Sequence, residues 1–268
     1  MTYTMRIFLV TCFVLMVGRS SMLKVVWAQE STDDKQDAVA LRLASVVRDK
    51  GGRDPFNRDL ERRTKACEAL AKRGAKVVAV PAITDYLDEL FQRSRTGGQE
   101  HLARVSNVLG TSYGRDAAPA VPILIRILDN PIDTILVYHS GEFHTRDEFE
   151  CRVVAIDALR RIGTDDARKA LIGAMAKDRN YRVRIAAADA LGQLGSADAV
   201  PSLTKAMLKD SVLKVRVAAV KALGQVGSTD VIPDLEAVEE IESDKEFKQE
   251  IGKTIATIRR RSKEKTSR

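Results

Sequence analysis

Aromatic residues are scarce. Tryptophan, tyrosine and phenylalanine make up 5% of the 268 residues, and there is one Trp. A core poor in rings and rich in Ala, Leu and Val suits closely packed helices better than facing sheets. The three cysteines form no CxxC and no paired-cysteine metal pattern. None of the three histidines is followed by Glu, since His101 precedes Leu102, His139 precedes Ser140 and His144 precedes Thr145. The apolar run "IFLVTCFVLMVG", from Ile7 to Gly18, is shorter than the roughly 20 residues that span a bilayer. Neither HExxH nor a glycine-rich phosphate loop is present.

The apolar run has the length of a signal-peptide core, and "VWA" at Val26 to Ala28 suits cleavage before Gln29. The expectation is a signal peptide over 1–28 and a short linker over 29–33, with a retained membrane anchor as the alternative. Residues 1–28 carry three bases and no acid, so removing them lowers the net charge from +7 to +4. The last ten residues, "RRRSKEKTSR", hold six bases and one acid. The body between is close to neutral, so the basic balance belongs to the ends of the chain. Cys67 and Cys151 are read as buried free thiols, small hydrophobes in effect. A disulfide is the alternative for an exported chain.

What the sequence has in abundance is itself. "ALGQLGSADAVPSL", from Ala190 to Leu203, returns as "ALGQVGSTDVIPDL" from Ala222 to Leu235. Arg152, Arg184 and Arg216 stand 32 residues apart, with Lys248 a further 32 on. A fixed period of this size signals stacked helix pairs. Val217, Val220, Leu223 and Val226 form one apolar stripe, flanked by alanines that allow close helix approach. Gly195 and Gly227 are placed to end helices in the left-handed conformation. Ser196, Asp198, Ser228 and Asp230 are placed to cap the next helix, with Pro201 and Pro233 in its first turn. Weaker copies lie upstream, at Arg63 to Gly74 and at Leu102 to Leu128, and a helix from Asp34 to Arg48 would close the stack.

These copies, "VRVAAVKALGQVGSTDVIPDL" above all, resemble the HEAT-repeat family, in particular the short HEAT-like repeats named after phycobilisome (bilin) lyases. The resemblance covers roughly residues 58–260. It implies an all-α fold, a right-handed α-solenoid of about five helix pairs, here over 34–258 with the 32-residue period in the C-terminal half. It also implies a ladder of aspartate and arginine between units, assigned as Asp178 with Arg184 and Asp210 with Arg216. Two enzyme branches belong to this family. The deoxyhypusine hydroxylase branch holds iron through His-Glu dipeptides, which this chain lacks. The bilin lyase branch acts inside the cell, which an export signal opposes.

Solvent-facing positions at the same spacing form three rows. One holds Asp157, Asp189, Lys221 and Lys253. Another holds Glu150, Arg182, Lys214 and Glu246. The third holds Arg161, Gln193, Gln225 and Thr257. A nucleic-acid groove would show one basic stripe, and these rows are mixed in sign. One segment, 130–146, breaks the period and is read as an insertion loop. Its Tyr138 and Phe143 are candidate partner contacts. Its His139, Glu142 and His144 make a sharper zinc-type set, weighed against the blander reading of solvated loop histidines.

The resulting expectation is an exported, non-catalytic protein-interaction scaffold, with neither cofactor nor metal and a protein partner rather than nucleic acid. The candidate contacts are Asp157, Arg161, Arg182, Asp189, Gln193, Lys214, Lys221, Gln225, Tyr138 and Phe143. Asp178, Arg184, Asp210 and Arg216 are structural. The alternatives are an envelope spacer held to anionic polymer or lipid by the 259–268 tail, and a lyase-like or metal-dependent enzyme subunit.

Overall fold

The computed structural model describes residues 38–49, 58–93, 99–130, 134–139, 142–147 and 149–266. The signal-peptide and linker expectations lie outside the described residues. Contacts divide the chain into Met1–Arg42 and Leu43–Arg268. Of the first unit only 38–42 are described, and they are helical.

The second unit continues with helical residues 43–48 and then a succession of helix pairs. They are α1 (Arg58–Arg73) with α2 (Lys76–Arg93), α3 (Gln99–Val108) with α4 (Val121–Leu128), and α5 (Phe149–Ile162) with α6 (Asp165–Lys177). Then come α7 (Tyr181–Leu194) with α8 (Val200–Lys209), α9 (Leu213–Val226) with α10 (Ile232–Ile241), and the last helix α11 (Lys245–Thr266). This is an α-solenoid. From α5 to α11 the period is plain, since Phe149, Tyr181, Leu213 and Lys245 open successive first helices. The same register fixes the core. Ala155, Ala187, Ala219 and Ile251 are buried in one column, and Leu171, Leu203 and Leu235 in another. Each fully buried leucine contributes about 1.5–3 kcal/mol, but only with a neighbouring copy to cover it.

Local signals set the helix ends. Thr164 Oγ1 accepts from Ala167 N, and Asn180 Oδ1 accepts from Arg182 N, each satisfying an open N–H at a helix start. Gly195 adopts φ +68° and lets Ser196 N–H reach Leu191 O. Gly227 departs from expectation, being extended at φ −66°, ψ 151°. Ser196 and Ser228 make no cap bond either. Short 3₁₀ turns, Ala197–Ala199 and Thr229–Val231, lead into α8 and α10 instead, and Pro201 and Pro233 follow in the first turns.

The two layers pack differently. First helices α3, α5, α7, α9 and α11 each lie against the next, while second-layer neighbours touch far less. Small residues make this possible. A Cβ on Gly192 would stand 3.1 Å from Ala222 Cα, and one on Gly110 only 2.6 Å from Ala158 Cα. One layer close and the other splayed is the geometry of a curved stack, with the first helices on the inner side.

The insertion is not a loop. It carries strands β1 (Thr134–His139) and β2 (Glu142–Asp147), paired antiparallel with Tyr138 opposite Phe143 and His139 opposite Glu142. Among the described residues every other regular element is helical. The supposed basic tail is not separate either, for α11 runs through to Thr266. Cys67 and Cys151 are buried and no disulfide links them, and burial raises the Cys67 thiol to about 12.

Candidate protein-interaction face

The frame of the inner layer is set by arginines. Arg184 Nε and Nη2 bond Asp210 Oδ2 and Oδ1 at 2.8 and 2.9 Å, and its Nη1 donates to Asp178 O at 2.9 Å. Arg152 repeats this with Asp178 and with Asn130 O, and Arg216 with Glu242 and Asp210 O. Arg63, only 1% exposed, repeats it with Glu89 and Val47 O. Every arginine thus reaches an acid 26 residues ahead, at the end of its own helix pair, and a main-chain carbonyl at the end of the preceding segment. The expected pairs, Asp178 with Arg184 and Asp210 with Arg216, do meet, but through the aspartate carbonyls. Their carboxylates turn the other way, to the previous arginine, and also accept from Asn180 N and Val212 N. Burial alone would raise the Asp210 carboxyl. Hydrogen bonds from Arg184 and Val212 N outweigh it and hold the group below its ordinary value. In the α3–α4 pair the corresponding positions are Leu102 and Leu128, both buried, and no clasp forms there.

On this frame, Arg161, Arg182, Asp189, Gln193, Lys214, Lys221 and Gln225 are all exposed, and Asp157 is half-exposed. They are not equally available. Asp157 is held by Arg160 and by Arg161 one turn on. Burial would raise the Asp157 carboxyl, but these arginines lower it overall. Arg182 lies over the Phe149 ring at 4.9 Å and donates to Tyr181 Oη. Asp189 is the contrary case. Crowding by the surrounding helices raises its carboxyl, and Lys221 offsets this only in part. An open carboxylate that is nonetheless poorly solvated is what a concave surface produces. Tyr138 and Phe143 are placed by backbone register alone, directly opposite each other on β1 and β2.

At the root of the hairpin lies a cleft of about 340 Å³, lined by Asp129, Asn130, Arg152, Gly173, Lys177 and Arg179 among others. A Cβ on Gly173 would meet nothing within 4 Å. The same register position in the next unit is Lys205, so the glycine leaves the cleft open.

The terminal bases are partly used by the fold. Arg259 bonds Glu236 at 2.6 Å, and Arg261 caps the end of α9 by donating to Gly224 O, Gln225 O and Gly227 O. The α1–α3 contact holds a second buried polar set. Thr64 Oγ1 lies 3.1 Å from His101 Nδ1 and 3.3 Å from Tyr86 Oη, and burial lowers the His101 pKa. No helix among the described residues is long and apolar enough to cross a membrane.

Residues 143–216 match the family model of HEAT repeats, and residues 215–240 match that of the PBS lyase HEAT-like repeat. Residues 143–240 therefore carry HEAT repeats. The HEAT repeats matched coincide with α5–α10, where the 26-residue clasps are regular. No curated protein matches the sequence. Among solved structures, a human deoxyhypusine hydroxylase in complex with glycerol is similar, at 18% identity and a TM-score of 0.39, covering 87% of this chain and 99% of that one. The complex of CpcE and CpcF of phycocyanin lyase from Nostoc sp. PCC7120 is similar at 21% identity and a TM-score of 0.41, covering 91% of each.

Both are enzymes by name, and the expectation that the chain is not an enzyme is withdrawn. That expectation rested on missing catalytic signatures, but one such pattern stands in the chain. Gly110-Thr111-Ser112-Tyr113-Gly114 has the GxSxG pattern. Here it forms a π turn at the end of α3, Leu109–Tyr113, with Ser112 exposed. A nucleophile elbow instead lies between a strand and a helix. Absent signatures therefore do not decide against catalysis in this HEAT-repeat chain.

Proposed function

We propose that this HEAT-repeat chain recognises a protein partner through the inner face of α5, α7, α9 and α11. One observation carries the reading. Exposed polar rows at a 32-residue spacing stand on helices whose mutual positions are fixed by buried clasps and by close glycine contacts. A rigid, curved, mixed-sign surface suits a folded protein or peptide, whereas nucleic acid calls for one basic stripe. Within this face Asp189 and Lys221 are the central contacts, because Asp189 would gain a partner for a poorly solvated charge.

The test is affinity capture with the purified chain, its Asp189→Lys/Lys221→Glu variant and a chain lacking 259–268. A discrete protein held by the first and third but lost from the second supports the reading. Retention by the charge-reversed variant counts against it. Retention of lipid or polymer, lost with 259–268, would move the function to the C-terminal bases. We further propose that the chain is exported with cleavage after Ala28. N-terminal sequencing of the cellular protein should then begin at Gln29, and a start at Met1 or Thr2 would remove that reading.

A further inference from the structure

The hairpin register brings together residues that the sequence alone leaves scattered in a loop. His139 stands directly opposite Glu142, and His144 opposite Val137. Residues two apart on a strand share a face, and so do opposite partners. His139, Glu142 and His144 therefore fall on one face of the ladder, near its closed end, while Tyr138 and Phe143 fall on the other. A shift of one residue in either strand would separate them. The chain has three histidines, and His101 is buried and bonded to Thr64, so both of the others lie here.

From this juxtaposition we propose that His139, Glu142 and His144 form a binding site for a divalent transition ion of the zinc class. Two imidazoles and a carboxylate are a borderline-soft N/O donor set, suited to zinc and its first-row neighbours rather than to calcium or magnesium. Opposite and diagonal cross-strand positions are the nearest neighbours that a two-stranded ladder offers. Three protein donors leave at least one position on the ion for water or for a donor from elsewhere. The hairpin also has a physical need for such a clip. An isolated two-stranded ladder is marginal in water. Metal binding supplies folding free energy to a site of this kind. The side chains that are described elsewhere in the chain provide no competing group of three His, Cys, Asp or Glu donors.

The experiment is titration of the chelator-stripped full-length chain with Zn²⁺ by calorimetry and with Co²⁺ by visible absorption, alongside amide exchange over 134–147. One ion per chain is expected, with slowed exchange in the hairpin on loading. His139→Ala and His144→Ala should each weaken binding roughly tenfold or more, the scale on which metal sites respond to loss of supporting groups. Affinity should fall as pH drops below about 6.5, where imidazoles protonate. The decisive variant exchanges neighbours, His144→Thr with Thr145→His. Composition is kept, but one imidazole moves to the opposite face. Loss of binding supports a site set by register. Binding equal to wild type overturns the proposal, as does a wild-type chain that takes up no ion. The helical circular dichroism signal, unchanged in these variants, shows that the solenoid is intact. Partner capture through Asp189 and Lys221 is measured separately, so either reading can fail alone.

Discussion

Arg184 grips Asp210 with two parallel hydrogen bonds while both side chains are almost withdrawn from solvent, at 13% and 10% exposure. The fork is bidentate, and Nη1 is occupied by Asp178 O. Removing one partner of a pair so placed leaves a buried charge without compensation, at a cost of about 3–5 kcal/mol. Arg184→Ala should lower the urea midpoint accordingly. Arg184→Lys should recover only part of the loss, because an ammonium cannot reproduce the fork. An Arg184→Ala chain as stable as wild type would show that the clasp does not hold the units together.

Two glycines in helix interiors should respond with opposite sign. A methyl group at Gly192 would press on Ala222 Cα and Cβ at 3.1 and 3.2 Å and on Gln225 Oε1 at 2.8 Å. Gly192→Ala should destabilise by about 1–3 kcal/mol, as overpacking does. Gly173 faces open space, so Gly173→Ala should stabilise by about 0.5–1 kcal/mol through helix propensity alone. Thermal unfolding of the two variants reads this directly, and the same sign for both would refute the packing account.

Asp189 and Asp210 should pull the pH dependence of stability in opposite directions. The Asp189 carboxyl is raised in the folded chain. Its ionised form therefore costs stability, beginning as pH rises past the unfolded value of about 3.9 and complete above the raised folded value. Asp189→Asn should be more stable than wild type at pH 7, with the difference vanishing below about pH 3.9. Asp210 is lowered instead. Its contribution is present above the ordinary aspartate range and is lost as pH falls through the lowered value. Urea midpoints of both Asn variants from pH 3 to 8, a span chosen to bracket these values, would check the two signs.

Much of the fold is legible in the sequence because the repeat writes its physics plainly. Small residues beside a stripe of Val and Leu dictate close helices, and the φ of +68° at Gly195 follows from its place after Leu194. Gly227 looks identical in sequence and ends extended, and its carbonyl accepts from Arg261 of α11. That bond comes from 34 residues away, and local pattern does not carry it.

The arginine ladder was legible as residue types but not as pairs. Arg184 has an aspartate on either side, Asp178 six residues back and Asp210 26 ahead, and spacing alone cannot say which offers a carbonyl and which a carboxylate. The hairpin was legible and was missed. "TILVYH" is β-branched and aromatic, and Ser140-Gly141 is a turn dipeptide between two strand-like runs. The helical period on both sides masked it. On the candidate face, Arg161 pairs with Asp157 at the i,i+4 spacing of a helix, a link the sequence displays to anyone counting turns.

Each clasp closes inside its own block and hands its neighbour nothing more specific than a peptide oxygen. Asn130, Asp178 and Asp210 all supply that oxygen, whatever their side chains do. A clasp that asks only for a main-chain atom makes no demand on its predecessor's side chain. Among the units from α5 to α10, duplication or loss of a whole 32-residue block would leave each clasp furnished with its carbonyl.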